Sequence, residues 1–204
     1  MGISEDKGSV ANAGHASHQV FHSIPTIKCE GLRVYRSQTA RDVGCLLDVN
    51  PSVVSWRCQP VALRVGNYSH IADFLMSDDN GLSWLLDAPD RLGQAHQEAV
   101  TKSASDKGLK YRLLSRDEVY SGFRLRNAKD LLRYGGQHVS LGDRIRLLAA
   151  LDEHGPLPFG ECLKTILETK PVAGVAALIL GGFIEVDLDE GPIGPETMVR
   201  RIAA

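Results

Sequence analysis

The sequence predicts an α/β fold in which a mixed-sheet first half is followed by a helical second half. Between residues 52 and 88, four short segments alternate apolar and polar side chains, as strands with one buried face do. One helical segment precedes these strands, and another separates them from a fifth strand, so that the fifth strand can join the sheet in parallel. After Ser115 the apolar residues follow helical spacing instead.

The first half is predicted to form an α/β domain over residues 24–114. Its first helix, "SQTARDVGCLLDV", is capped by Ser37 and ends at Asn50-Pro51. Strands follow in "SVVSWRCQP", "VALRV", "HIADFLM" and "SWLLDA", with turn chemistry in the "SDDNG" that joins the last two. A helix over residues 91–108 and a strand over 109–115 complete the domain.

The second half, residues 115–204, is predicted to form a winged-helix-like domain. Two short helices precede three further helices, and two strands joined by an acidic Gly-Pro turn end the chain, which is the element order of a winged helix-turn-helix. The helix in the recognition position, "PVAGVAALILGG", has no Arg, Lys, Asn or Gln with which to contact base edges. It is therefore predicted to be buried or to face another protein.

The composition limits the function classes. The 204 residues carry a formal net charge of −2, so no global basic field draws the protein to nucleic acid or anionic lipid. The four cysteines are far apart and no secretory signal is evident, which predicts reduced thiols in a cytoplasmic protein. The longest apolar run, residues 171–186, is too short to span a bilayer and contains paired glycines.

The first 23 residues are predicted to form a flexible N-terminal arm, because they are rich in Gly, Ser, Ala and charge and show no apolar period. His15, His18 and His22 lie in or beside it. Their spacing suits a metal site if the segment becomes helical, but a polar tail that happens to contain histidine is the favoured interpretation. No role is assigned to them.

The segment "HIADFLMSDDNGLSWLLDAPD", residues 70–90, places Asp73 and Asp87 about one hairpin apart. Nucleases use aspartates in such an arrangement to hold hard divalent cations through oxygen ligands. Taken alone, the two residues are also explained as a turn-flanking residue and a strand-end cap. The motif becomes more informative in its wider sequence context.

The run "SQTARDVGCLLDVNPSVVSWRCQPVALRVGNYSHIADFLM…WLLDAP" resembles the N-terminal domain of TnsA-type transposon endonucleases. That family has a restriction-endonuclease-like fold and a PD-(D/E)xK motif. The second half, "GFRLRNAKDLLRY…LAALDEHGPLPFGECL", is similar to the helical and winged-helix part that follows in the family. The resemblance covers about residues 30–200 and is specific in order and spacing.

The resemblance implies that Asp73 and Asp87 are the catalytic carboxylates and the ligands of Mg²⁺ or Mn²⁺, and that Gln59 belongs to a structural Gln-Pro motif. Three positions depart from the family pattern: the helical glutamate is Ala40, the residue before the hairpin aspartate is Ala72, and the lysine is Pro89. Loss of the lysine removes an electrostatic contribution to catalysis. A replacement cation would have to come from elsewhere, and Arg41, Arg57 and Arg91 are nearest in sequence.

Positive charge collects on the predicted helix in "RLRNAKDLLRYGGQH". A local cationic surface is sufficient for phosphate contacts, which position a protein on DNA without reading its sequence. The alternative is a solvated charged face that is partly balanced by Asp130. The predicted DNA-binding residues are Arg57, Arg124, Arg126, Lys129 and Arg133.

We therefore expect a catalytically impaired, DNA-binding protein with a TnsA-like nuclease fold. Its expected partners are double-stranded DNA and another protein, such as a transposase or an ATPase regulator, in transposition or other DNA recombination. One alternative is an active Mg²⁺- or Mn²⁺-dependent endonuclease that uses Asp73 and Asp87. Another is a protein-interaction module that does not contact DNA.

Overall fold

The structure is a computed structural model that describes residues 25–60, 62–91 and 94–202. The predicted arm at residues 1–23 and its three histidines lie outside these ranges. Within them the chain is a mixed α/β protein with a mixed sheet, as the sequence predicts. None of the helices in the described ranges has the length and apolar character needed to cross a membrane.

Elements are numbered in chain order. The helices of the described ranges are α1 (Gln38–Val49), α2 (Gln94–Ser105), α3 (Arg116–Tyr120), α4 (Arg124–Leu132), α5 (Leu141–His154), α6 (Phe159–Thr165) and α7 (Pro171–Leu180). The strands are β1 (Val53–Cys58), β2 (Ala62–Val65), β3 (Tyr68–Ile71), β4 (Phe74–Asp78), β5 (Ser83–Asp87), β6 (Lys110–Leu113), β7 (Leu157–Pro158), β8 (Ile184–Val186) and β9 (Met198–Arg201).

The first half is built on a four-stranded sheet in the order β1-β4-β5-β6. The pairs β1–β4 and β4–β5 are antiparallel, and β5–β6 is parallel after the α2 crossover, which confirms the predicted parallel addition. The prediction of a single strand in "HIADFLM" is wrong. The chain there forms two strands, because β3 pairs with β2 in a separate hairpin and the N–H of Asp73 is bonded to the carboxylate of Asp87.

The two faces of this sheet are covered by different helices. Consecutive residues of β5 point to opposite faces: Leu86 joins the apolar cluster that includes Val43 and Leu47 of α1, and Leu85 joins the cluster that includes Val100 of α2. Ser37 caps α1, with its Oγ accepting from the N–H of Ala40 at 3.1 Å, as predicted. The sheet is therefore buried on both sides.

In the second half, α5, α6 and α7 pack with a three-stranded sheet of order β7-β9-β8. The sequence predicts one helix in "LPFGECLKTILETK", residues 157–170, but its first two residues form the short strand β7, Leu157–Pro158. Helix α7 is apolar on all sides, and its buried residues include Val175, Leu178 and Ala176, which enter two different apolar clusters. The predicted burial of this helix is confirmed.

The two halves share an apolar junction. Cys45 of α1 packs with Ala128 and Leu132 of α4, and Val119 of α3 joins the cluster beneath α1. Helices α3 and α4 therefore lie against the first half, although they follow Ser115 in the chain. The division into residues 24–114 and 115–204 stays a prediction.

Candidate functional site

Asp73 and Asp87 lie side by side where β4 begins and β5 ends. The N–H of Asp73 donates to Oδ1 of Asp87 at 2.9 Å, and the N–H of Ala88 donates to Oδ2 of Asp73 at 2.9 Å. Their exposed fractions are 2% for Asp73 and 0% for Asp87. The two carboxylates predicted from the hairpin spacing are thus adjacent and buried, and each accepts a hydrogen bond from a backbone N–H beside the other.

Gln59 helps to fix this arrangement. Its φ of 42° is the one positive φ among the non-glycine residues described. Residues other than glycine rarely adopt this backbone conformation. In this conformation it ends β1, and its N–H donates to the carbonyl oxygen of Asp73 at 2.9 Å. The Gln-Pro position predicted to be structural therefore contacts the backbone of the first aspartate.

Two arginines converge on the aspartates. Arg36 binds Asp73 with a two-pronged contact, Nε to Oδ1 at 2.9 Å and Nη2 to Oδ2 at 3.1 Å, and it also contacts Asp90. Arg91 reaches both aspartates, with Nη2 at 3.0 Å from Asp73 and Nε at 3.2 Å from Asp87, and it donates to the carbonyl of Ile71. Such forked, charge-assisted contacts fix both ends of the pair.

The remaining oxygen of Asp87 is bound by an aromatic pair. Its Oδ2 lies 2.7 Å from Nε2 of His70 and accepts from the Tyr111 hydroxyl at 2.8 Å. The rings of His70 and Tyr111 meet edge to face at 6.1 Å. All four oxygens of Asp73 and Asp87 therefore already have protein partners.

These contacts determine the protonation of the site. Burial by itself raises the pKa of Asp87, but His70, Arg91 and Tyr111 outweigh it and hold that pKa below its usual value. Burial and the neighbouring Asp87 carboxylate raise the pKa of Tyr111. Asp87 is thus an anion and Tyr111 a neutral donor at pH 7.

A divalent cation does not fit this arrangement. Within the described residues, no group of three or more His, Cys, Asp or Glu side chains is placed to hold a metal ion. All four oxygens of Asp73 and Asp87 are already bonded to protein donors. At about 4 Å, with an effective dielectric constant of about 20, each guanidinium would repel a divalent cation by about 8 kcal/mol, which offsets the attraction of about one carboxylate. A cation could bind only if Arg36 and Arg91 moved away. The arginines supply the positive charge that this acid pair needs.

The cluster also has little attraction for phosphate. The two guanidiniums face three carboxylates, from Asp73, Asp87 and Asp90, which leaves a formal charge of −1 when His70 is neutral. A shallow pocket of about 320 Å³ opens beside these groups. Any binding of a DNA backbone must therefore depend mainly on other surfaces.

Two of the positions that depart from the nuclease pattern, Ala40 and Pro89, lack the charged group that the family has there. Ala40, at the helical glutamate position, has an exposed fraction of 0% and belongs to the apolar cluster that includes Val43 and Trp56, so no carboxylate is supplied from this position. Pro89, at the lysine position, lies between Ala88 and Asp90 and cannot supply a cation.

The predicted DNA-binding residues do not form one surface. Arg126 of α4 and Arg133, the residue directly after α4, are exposed, with Lys129 between them on the same face. Lys129 is paired with Asp42 at 2.7 Å, and Arg124 with Asp189 at 2.7 Å. Arg133 lies 3.4 Å from Asp130, but its side chain is 75% exposed. Arg57 is exposed on the edge strand β1, opposite Leu75. Two of the five cations thus remain exposed together.

Sequence reasoning found part of this site. Arg91 is one of three cations named as possible replacements, because it follows Asp87 by four residues, and it does contact both aspartates. Arg36, His70 and Tyr111 were missed. Arg36 lies directly before the cap of α1 and 37 residues from Asp73, so no local pattern links the two. The signal for His70 and Tyr111 is the alternation in β3 and β6, where each is a half-buried ring with a polar tip between two exposed neighbours.

No protein-family model matches this sequence, and no curated protein matches it.

Proposed function

We propose that this chain is a non-cleaving relative of the TnsA-type nucleases that binds double-stranded DNA and works with a partner protein in DNA transposition or recombination in the cytoplasm. The observation that carries this proposal is the pair of buried aspartates with two arginines where a nuclease would hold its metal. Such a site retains the paired aspartates of a nuclease, but it would not bind the metal ion on which cleavage of DNA depends.

The element order supports a restriction-endonuclease-like core. A helix, an antiparallel pair that contains the two aspartates, a crossover helix and a parallel strand follow one another, and the sheet order is β1-β4-β5-β6. In the second half, the succession of α5, β7, α6, α7, β8 and β9 with a three-stranded sheet supports a winged-helix-like fold.

DNA contact is proposed at α4 rather than at the acid pair or α7. Arg126 and Arg133 are exposed on one face. Although Arg133 is paired with Asp130 at 3.4 Å, its side chain is 75% exposed, so phosphate groups can approach both arginines. Helix α7 is buried and lacks base-reading side chains, so sequence-specific recognition in the major groove is not part of the proposal. The expected binding is non-specific and sensitive to salt.

Charge reversal tests this surface. Replacing Arg126 and Arg133 together by Glu should weaken binding of a duplex at least tenfold, and it should lower the slope of log affinity against log salt by about 2, because about two phosphate contacts are lost. A gel-shift titration at several salt concentrations measures both quantities. The matched control replaces Lys102 and Lys107 by Glu, since both are exposed beyond the opposite face of the sheet.

Equal losses of duplex affinity in the two double variants would mean that net charge, and not the α4 surface, determines binding. If the unmodified protein does not bind a duplex, the alternative of a protein-interaction module without DNA contact is favoured instead. Cleavage is tested on supercoiled plasmid. The proposal expects no nicking with Mn²⁺, whereas nicking that disappears in an Asp73→Asn variant would establish the endonuclease alternative.

A further inference from the structure

A second cleft lies between the two halves of the molecule. Its volume is about 610 Å³, within the range of ligand pockets. The ends of α1, α4 and α7 and the strands β8 and β9 form its walls. Apolar side chains make up much of the surface, among them Leu131, Ile179, Ile184 and Val186.

Asp48 of α1 is one of the residues that line this cleft, and its carboxylate is only half satisfied. Oδ1 accepts from the N–H of Ile27 at 3.3 Å, from the N–H of Lys28 at 3.0 Å and from Nε1 of Trp56 at 2.9 Å. Oδ2 is buried and has no hydrogen-bond partner among the described residues, and the residue is 1% exposed. An uncompensated buried oxygen of this kind is costly unless a donor or a positive charge comes close to it.

The charges around the cleft leave an excess of acid. Four carboxylates (Asp48, Glu185, Asp187 and Asp189) and three cations (Lys28, Arg124 and Arg200) line it. Arg124 is bonded to Asp189, Arg200 lies opposite Glu185 in the β8–β9 ladder, and Lys28 donates to the carbonyl of Asn50 at 2.6 Å. With every group ionised the formal charge is therefore −1. Burial raises the pKa of Asp48, and the nearby Lys28 offsets this only in part. Asp187 accepts from the N–H groups of Asp189 and Glu190 and has no ion pair among the described residues.

We propose that this cleft binds an arginine side chain, flanked by apolar residues, from a peptide segment of a partner protein. The apolar walls suit the flanking residues and the side-chain stem, and the acidic surplus suits a cation. A guanidinium fits better than an ammonium group, because it is more weakly hydrated and offers more N–H donors to spread over several carboxylates. This site is separate from the acid–arginine cluster and from α4, and it requires no DNA.

Trp56 provides a direct reporter. Its indole N–H donates to Asp48, whereas the other tryptophan, Trp84, donates to Asp78 at 2.9 Å. In ¹H–¹⁵N spectra of the full chain, acetyl-Leu-Arg-Leu-amide should shift the Trp56 indole peak to saturation in the millimolar range and leave the Trp84 peak in place. The isosteric peptide with citrulline in place of arginine should bind at least about fivefold more weakly, because it lacks the charge.

Two variants locate the site. Asp48→Asn keeps an acceptor for Trp56 but removes the charge, and it should weaken the arginine peptide by about fivefold or more. Asp187→Asn, at the exposed rim, gives the same test with less risk to folding and should weaken the peptide about twofold. Equal affinity for the arginine and citrulline peptides would overturn the proposal. So would an unmoved Trp56 peak at about 10 mM peptide, or tighter binding of free spermidine than of the arginine peptide.

Discussion

Two buried acidic sites of this protein are satisfied in different ways. Asp73 and Asp87 are held mainly by the side chains of Arg36, Arg91 and His70. Asp143 of α5 is 0% exposed and is held mainly by backbone N–H groups, at 2.7 Å from Leu167, 3.1 Å from Glu168 and 2.7 Å from Thr169, with one contact from Arg146.

The kind of donor indicates which acidic site is structural and which has partners that can be replaced. The donors around Asp143 belong to the segment between α6 and α7, so this carboxylate fixes the path of the chain and cannot exchange its partners. The donors around the aspartate pair are largely side-chain cations, which substitution can change without moving the backbone. Asp143 is therefore expected to matter for folding, and the aspartate pair for what occupies the site.

Removing the Asp143 carboxylate should give the largest loss of stability. Asp143→Ala removes a buried carboxylate that is the acceptor of three backbone N–H groups and the partner of Arg146, and it should lower the free energy of unfolding by about 3 kcal/mol. Chemical denaturation measures the loss. Glu153→Ala, on the exposed side of the same helix, is the control and should stay within about 0.5 kcal/mol. Similar effects of the two substitutions would remove the distinction between the two sites.

Removing an arginine from the aspartate pair should give the next largest effect. Arg91→Ala deprives both aspartates of a partner, but each keeps its backbone contact and part of the cluster, so a loss of about 2 kcal/mol is expected in the same denaturation assay. Arg57→Ala, at an exposed position of β1, should change the stability by less than about 0.5 kcal/mol. If Arg91→Ala is as mild as Arg57→Ala, the guanidinium is not holding the carboxylates.

Lowering the pH should reduce the stability contributed by both acidic sites, with a smaller effect than either substitution. Burial raises the pKa of Asp143, but the N–H of Leu167 and the Arg146 guanidinium outweigh it, so its pKa lies well below the usual value, and that of Asp87 is lowered as well. The stability that each contributes is fully present above an ordinary Asp pKa of about 4, and it is lost as the pH falls through the lowered native pKa.

Melting temperatures between about pH 6 and pH 2.5 test this sign. The unmodified chain should lose stability on acidification. In Asp143→Asn the loss of unfolding free energy over this pH range should be smaller by about 1 kcal/mol or more, and in Asp87→Asn it should be reduced by less. An acid limb that is unchanged in Asp143→Asn would show that this carboxylate does not titrate differently in the native state.

Local patterns predicted much of the fold and only part of the site. Ser37 capping, the parallel β6 and the burial of α7 follow from spacing and side-chain chemistry within each segment. The strand in "HIADFLM" was wrong because a tertiary contact, Asp73 to Asp87, interrupts the ladder between Ile71 and Phe74. Arg36 was missed for the same reason, since its partners lie far away in sequence.

The most direct test is whether Mn²⁺ binds at the aspartate pair. Titration of the full chain, followed by the electron paramagnetic resonance signal of free Mn²⁺, should show no binding at Asp73 and Asp87 at about 100 µM metal, because Arg36 and Arg91 occupy the place of the cation. A folded variant carrying Arg36→Ala and Arg91→Ala should bind one Mn²⁺, and adding Asp73→Asn should abolish that binding. Tight binding of Mn²⁺ by the unmodified chain that is lost in Asp73→Asn would contradict the account.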